Sequence, residues 1–160
     1  SWTVADQPWL HAPVTEIMHR APLDNDWLLG KEHSYARAWE NAGLLPPRRE
    51  FISLQTSIRE DGAVSVEVTS RLMGSDASTR IECLITWTVE GDGRLRFEQE
   101  VIVPPTVELI PRIGVLFPLS QGWKSVSWFG RGPWENYPDR QTSSCVGLWT
   151  RSISEMLENY

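Results

Sequence analysis

From Ile52 to Val103 apolar residues recur at every second position, and that period dictates a sheet. Ile52, Leu54, Thr56 and Ile58 alternate with Ser53, Gln55, Ser57 and Arg59; Val64, Val66 and Val68 alternate with Ser65, Glu67 and Thr69. Ile81, Cys83, Ile85, Trp87 and Val89 oppose Arg80, Glu82, Thr86 and Thr88. Leu95, Phe97, Val101 and Val103 then oppose Arg94, Arg96, Glu98 and Glu100. Successive side chains of a strand point to opposite faces, so this pattern specifies strands with one buried face and one wet face. Asp61-Gly62 and Gly91-Asp92-Gly93 supply the glycines that tight hairpin turns require. The expectation is an antiparallel meander.

The flanks are less regular. Residues 1–19, with Trp2, Pro8, Trp9 and Pro13, read as an extended, partly buried leading segment with a short strand over Val14–Met18. Arg20–Asp26 reads as a turn stiffened by Pro22, its three polar residues able to cap nearby backbone. Tyr35, Ala38, Trp39 and Ala42 fall at helical spacing, with Ser34 placed to cap the start and Gly43 the end, predicting a helix over 34–42. Prolines at 46–47, 104–105 and 111 break the chain before strand patterns resume at 113–119 and 124–129. The fold class is all-β, an antiparallel β-sandwich with one short helix. With 160 residues and 41% hydrophobic content, a single domain over 1–160 with one sizeable core is expected.

A net charge of −6 argues against nucleic acid or an anionic membrane as partner, and no run of residues is long and apolar enough to read as a transmembrane span. Cys83 lies on the apolar parity of its strand and reads as a buried free thiol; no disulfide with Cys145 is indicated. His11, His19 and His33 share no ligand spacing, so no metal site is expected. Nine tryptophans fit either a large core or indole faces stacked on sugar rings.

The polar chemistry concentrates in Gly130-Arg131-Gly132-Pro133-Trp134-Glu135-Asn136-Tyr137-Pro138-Asp139-Arg140. Glycines and prolines force the backbone out of a strand, and Pro138 forbids a continuous helix. Such a loop is either a cross-linked corner, with Glu135, Asn136, Asp139 and Arg140 bonded internally and Tyr137 partly buried, or a ligand-facing rim. Glu135 and Asp139 would be the pair for glycoside hydrolysis, which uses two carboxyl groups. Arg131 and Arg140 beside them would hold both ionised, the opposite of what a general acid needs.

This stretch resembles the G-x-G-P-x-E-N-Y-x-D-R signature of the last large domain of glycoside hydrolase family 2 β-galactosidases. Arg20-Ala21-Pro22-Leu23-Asp24-Asn25-Asp26 resembles that domain's R-A-P-x-D-N-D, and Trp39–Leu44 its W-x-x-A-G-L. The resemblance implies a galactose-mutarotase-like supersandwich of which 1–160 is the first part, with further strands expected after Tyr160. An incomplete sandwich would expose sheet edges and apolar surface. The resemblance also implies that the catalytic glutamates belong to a separate barrel, that this chain is non-catalytic, and that it holds no cofactor. Magnesium and sodium would belong to the parent enzyme's other domains.

By the same resemblance Arg20, Asp24, Asn25, Asp26, Glu135, Asn136, Tyr137, Asp139 and Arg140 are structural motif residues. Gly30, Lys31, Glu32 and His33 would form a mobile rim of the galactose pocket. The implied partners are a β-galactoside substrate, the catalytic barrel and further copies in a homo-oligomer, in a bacterial cytoplasm or periplasm. Two other readings stand beside it. One is a free-standing carbohydrate-binding module using Trp123, Trp128 or Trp134. The other is an aldose-epimerase-like enzyme, which needs a positioned histidine, although none follows His33.

Overall fold

The computed structural model describes residues 3–4, 7–28, 30, 33–75, 79–137 and 140–157. Its strands in chain order are β1 (Thr3–Val4), β2 (Gln7–Pro8), β3 (Thr15–Ile17), β4 (Arg48–Ile58) and β5 (Val64–Met73). They continue with β6 (Arg80–Val89), β7 (Leu95–Ile102), β8 (Gly114–Leu116), β9 (Ser125–Gly132) and β10 (Cys145–Ser152). One α-helix, α1, spans Tyr35–Asn41. Every strand pairing is antiparallel, and the fold is of the all-β sandwich class. The chain groups into two compact units, Thr15–Leu116 and a second made of Ser1–Val14 with Phe117–Tyr160.

In the first unit β4-β5-β6-β7 form a meander, as the alternation predicts, and β3 pairs with β8. The two expected hairpin turns have one design. At 59–63 the Arg59 amide donates to Ala63 O at 2.9 Å, and Gly62, at φ 82°, donates back to Arg59 O. At 90–94 the Glu90 amide donates to Arg94 O, with Gly93 at φ 86°. Asp61 and Asp92 each accept the amide two residues on, which is why aspartate precedes glycine at both turns.

Register puts Leu72, Ile81, Cys83 and Val101 side by side on one face of this sheet. Met18, Ala36, Trp39, Leu44 and Val107 cover them, and these residues form the unit's core. Burying Met18, Leu44 and Ile81 stabilises by roughly 1.5–3 kcal/mol each. The opposite face is wet and carries a cross-strand ladder in which Arg71 pairs with Glu50 on one side and Glu82 on the other.

Helix α1 forms where expected, with Ser34 Oγ accepting the Arg37 amide. It ends through Gly43 at φ 69° and a Leu44 amide bond to Trp39 O. Its buried face differs from the expected one. Ala36 and Trp39 face the core, whereas Tyr35 and Ala38 are exposed. The indole is the largest apolar group on the helix, and turning it onto Leu72 and Ile81 carries Tyr35 outward.

The expectation of one buried face also fails toward β4. A bulge between Phe51 and Ser53 shifts the register, so Phe51 joins the side of Leu54 and Ile58. All three are exposed, at 64%, 55% and 79%. The apolar face that is covered at Leu72 and Ile81 is therefore open at its β4 side.

The second unit holds the leading segment and the last hairpin. Trp9 and Trp123 pack edge to face at 5.3 Å, and the Ser120 amide donates to Trp9 O at 2.9 Å. Strand β10, which the sequence reading passes over, pairs with β9 from Cys145↔Gly132 to Ser152↔Ser125. Its Val146-Gly147-Leu148-Trp149-Thr150 run was the available signal, masked by a glycine among only a few residues.

Candidate functional site

The upstream motif is built around one carboxylate. The chain after β3 turns at Pro22 into a 3-10 turn over Asp24–Trp27. Asp26 is buried there and accepts from both guanidinium nitrogens of Arg20, at 2.6 and 2.9 Å, and from the Leu23 amide at 2.7 Å. The Arg20 bond, with the Leu23 amide adding to it, holds the Asp26 carboxyl below its ordinary value against the opposing effect of burial. Arg20 also lies 4.9 Å from the centre of the Trp39 ring, tying the turn to the core helix. Asp24 and Asn25 are exposed on the outside of this turn. Of the three polar residues expected to cap backbone, Asp26 caps the Leu23 amide.

Beyond this base, Gly30 is exposed at φ 79° with open space around it, and the His33 amide donates to Gly30 O at 3.3 Å. His33 is exposed. The other two expected rim residues, Lys31 and Glu32, lie outside the described residues.

The downstream motif begins inside β9 and leaves it at Gly132. Gly130, Gly132 and Gly147 form one face of the β9–β10 hairpin with Trp128 and Trp149. The Trp149 indole covers these glycines and donates to Gly130 O at 3.1 Å, while Trp128 donates to Arg131 O at 3.0 Å. A Cβ on Gly132 would stand 2.6 Å from Trp149 Cδ1, so the second glycine of the motif makes room for an indole. Trp134 is half exposed and carries Arg151 over its ring at 4.5 Å. In the loop, Glu135 is bonded to Arg140, and the Arg140 amide donates to Tyr137 O at 2.8 Å. Arg131 reaches Ser144 O instead of a carboxylate. Asn136 and Tyr137 are exposed, and Asp139 lies outside the described residues.

One buried polar group escaped the sequence reading. Glu16 projects from β3 with its side chain 5% exposed, takes a hydrogen bond from Ser70 Oγ, and pairs with Arg49 at 3.1 Å. Arg49 also donates to the Glu16 carbonyl at 2.9 Å. A glutamate inside Val14–Met18 was the visible signal, and its partners lie more than 30 residues away. Cys83 is a buried free thiol, and burial with Glu16 nearby pushes it up to about 11; Cys145 is free and exposed.

Two of the motif carboxylates, Asp26 and Glu135, are thus closed by arginine, in an antiparallel sandwich fold whose only α-helix among the described residues serves the core. These features define a β-sandwich domain stapled by ion pairs. The chain belongs to the β-galactosidase small-chain family, whose profile matches residues 1–160. It is 29% identical over 164 residues to a β-galactosidase of Pectobacterium atrosepticum and 32% identical over 165 residues to one of Vibrio cholerae. Each alignment covers 99% of this chain and 16% of the relative. A Priestia megaterium β-galactosidase is 34% identical over 141 residues, 88% of this chain and 13% of the relative. The chain therefore spans about a sixth of the length of these relatives.

Proposed function

We propose that this chain is a non-catalytic domain of a glycoside hydrolase family 2 β-galactosidase acting on terminal β-D-galactose residues of lactose-type substrates. Its part is to support assembly and to supply wall to the active site. The observation that carries the non-catalytic reading is that Asp26 and Glu135 are each bonded to an arginine. For Asp26 the arginine holds the carboxyl below its ordinary value, whereas a glycosidase acid must hold a proton. Turnover then belongs to other parts of the parent enzyme, as do magnesium and sodium. Gly30–His33 would be the rim that meets the substrate. The purified chain should leave a chromogenic β-galactoside unhydrolysed. Turnover that survives purification and is abolished by Glu135→Gln would overturn this.

A carbohydrate-binding role has one observation in its favour: Trp123 and Trp134 are half exposed. Arg151 covers one face of Trp134, leaving a single indole face for a sugar ring. Titration with galactose, followed by tryptophan fluorescence, separates the readings. Saturable quenching lost in Trp134→Ala supports binding by this domain alone.

A further inference from the structure

Strand β3 is only three residues long, and its sequence leaves its orientation open. Val14, Glu16 and Met18 fall on one parity and Thr15 and Ile17 on the other, so either face could offer an apolar side chain to the core. Turning the strand by one position would carry Glu16 to solvent, where a charge costs least, and bring Ile17 inward. The structure does the reverse. Glu16 is buried, whereas Thr15 and Ile17 are half-buried. Met18 gains from this orientation, and the Glu16 carboxylate loses by it.

What offsets that loss comes from two strands of the meander. Arg49 of β4 and Ser70 of β5 lie on the face that carries Leu72 and Cys83. Ser70 Oγ donates to one carboxylate oxygen of Glu16, and Arg49 approaches the other at 3.1 Å. The same arginine donates to the Glu16 carbonyl at 2.9 Å. Arg49 thus reads the side chain and the backbone of a single residue. A slip of one residue against β8, in either direction, would turn Glu16 away and leave Arg49 and Ser70 facing Thr15 or Ile17. Neither can return the charge. A buried ion pair adds little net stability over apolar residues in its place, but it excludes arrangements that leave one partner alone.

We propose that Glu16, Arg49 and Ser70 form a register lock, which decides the face that β3 turns to the sheet and so its pairing with β8. Both chain connections of this unit leave from that ribbon, at Val14–Thr15 and Leu116–Phe117, so the lock also sets the register in which both depart.

Disulfide trapping in the full chain tests this, in a Cys145→Ser background that leaves buried Cys83 as the one native thiol. Thr15→Cys with Leu116→Cys reports the observed register, in which these positions are directly opposed. Thr15→Cys with Val115→Cys, and Ile17→Cys with Val115→Cys, report a slip of one residue in the two directions. With the lock intact, mild oxidation should close the first pair alone, since directly opposed strand residues lie within bridging distance. Arg49→Leu leaves the buried carboxylate without its cation. It should make one slipped disulfide as abundant as the first, with the sheet signal in circular dichroism retained. Ser70→Ala should give the same slipped product in smaller amount. Glu16→Leu combined with Arg49→Leu removes both charges and sets three apolar side chains on one parity, so it should restore the first pair alone. Slipped disulfides with the lock intact, or a slip that the double substitution does not reverse, would overturn the proposal. So would the observed register persisting alone in both Arg49→Leu and Ser70→Ala. Loss of the sheet signal in both would overturn it too, by making the cluster a strut for stability and not a selector of register.

Discussion

Asp26 and Glu135 each lie a few residues along the chain from the arginine that holds them, Arg20 and Arg140, yet the two pairs differ in setting. Arg20 grips Asp26, whose carboxylate is buried, through both nitrogens, and the same carboxylate accepts the Leu23 amide. Arg140 is more than half exposed, and its bond to Glu135 spans a surface loop. In water two such charges lose much of their attraction to screening, whereas a buried pair cannot be broken without stranding a charge. The same residue types at similar spacing therefore serve as a foundation in one motif and as trim in the other.

The sharpest way to break that comparison is Asp26→Ala. It takes from Arg20 its bidentate carboxylate partner and from the Leu23 amide its side-chain acceptor, so the fold should lose about 3 kcal/mol by urea denaturation. The effect carries a pH signature. The Asp26 carboxyl lies below its ordinary value in the fold, so its contribution is complete above the unfolded value and is lost as pH falls through the folded one. The stability gap between wild type and Asp26→Asn should be flat near neutral pH and shrink below about pH 4. A gap that persists unchanged at low pH would show that the turn rests on shape and not on charge.

The downstream motif draws its strength from packing, and Gly132→Ala tests that. The added methyl meets Trp149 Cδ1 at 2.6 Å and its Nε1 at 2.8 Å, and the indole is held in place by its bond to Gly130 O. Overpacking of this kind costs about 1–3 kcal/mol. Trp149→Leu should cost stability alone yet lessen the penalty of Gly132→Ala in a double-mutant cycle. Strict additivity would mean that the glycine serves the backbone and not the indole.

What was legible in the sequence follows from the range of each interaction. Hairpins at Asp61-Gly62 and Gly91-Asp92-Gly93, and the helix from Ser34 to Gly43, are fixed by neighbours in the chain and stand where the pattern puts them. Choices made by distant contacts were hidden. The rotation of α1 depends on where Trp39 finds Leu72 and Ile81, and the Glu16–Arg49–Ser70 cluster joins three strands. The bulge at Phe51–Ser53 and the glycine cradle under Trp149 are equally nonlocal. At the motifs, composition announced carboxylates beside arginines, but burial, which decides their worth, does not appear in residue spacing.

The smallest effect separates the two pairs most cleanly. Glu135→Gln keeps the shape of the loop side chain and removes its charge, so Arg140 loses an ionic partner while remaining free to turn into water. An exposed pair contributes about 0–1 kcal/mol, and salt erodes it further because the screening length near 0.15 M is about 8 Å. The substitution should shift the urea midpoint only slightly in low salt and not measurably in high salt. Asp26→Asn should keep most of its effect in both, since the Asp26 side chain is largely closed to counterions. If Glu135→Gln proved as costly as Asp26→Asn and as insensitive to salt, the loop at 130–140 would be as deeply seated as the turn at 20–26.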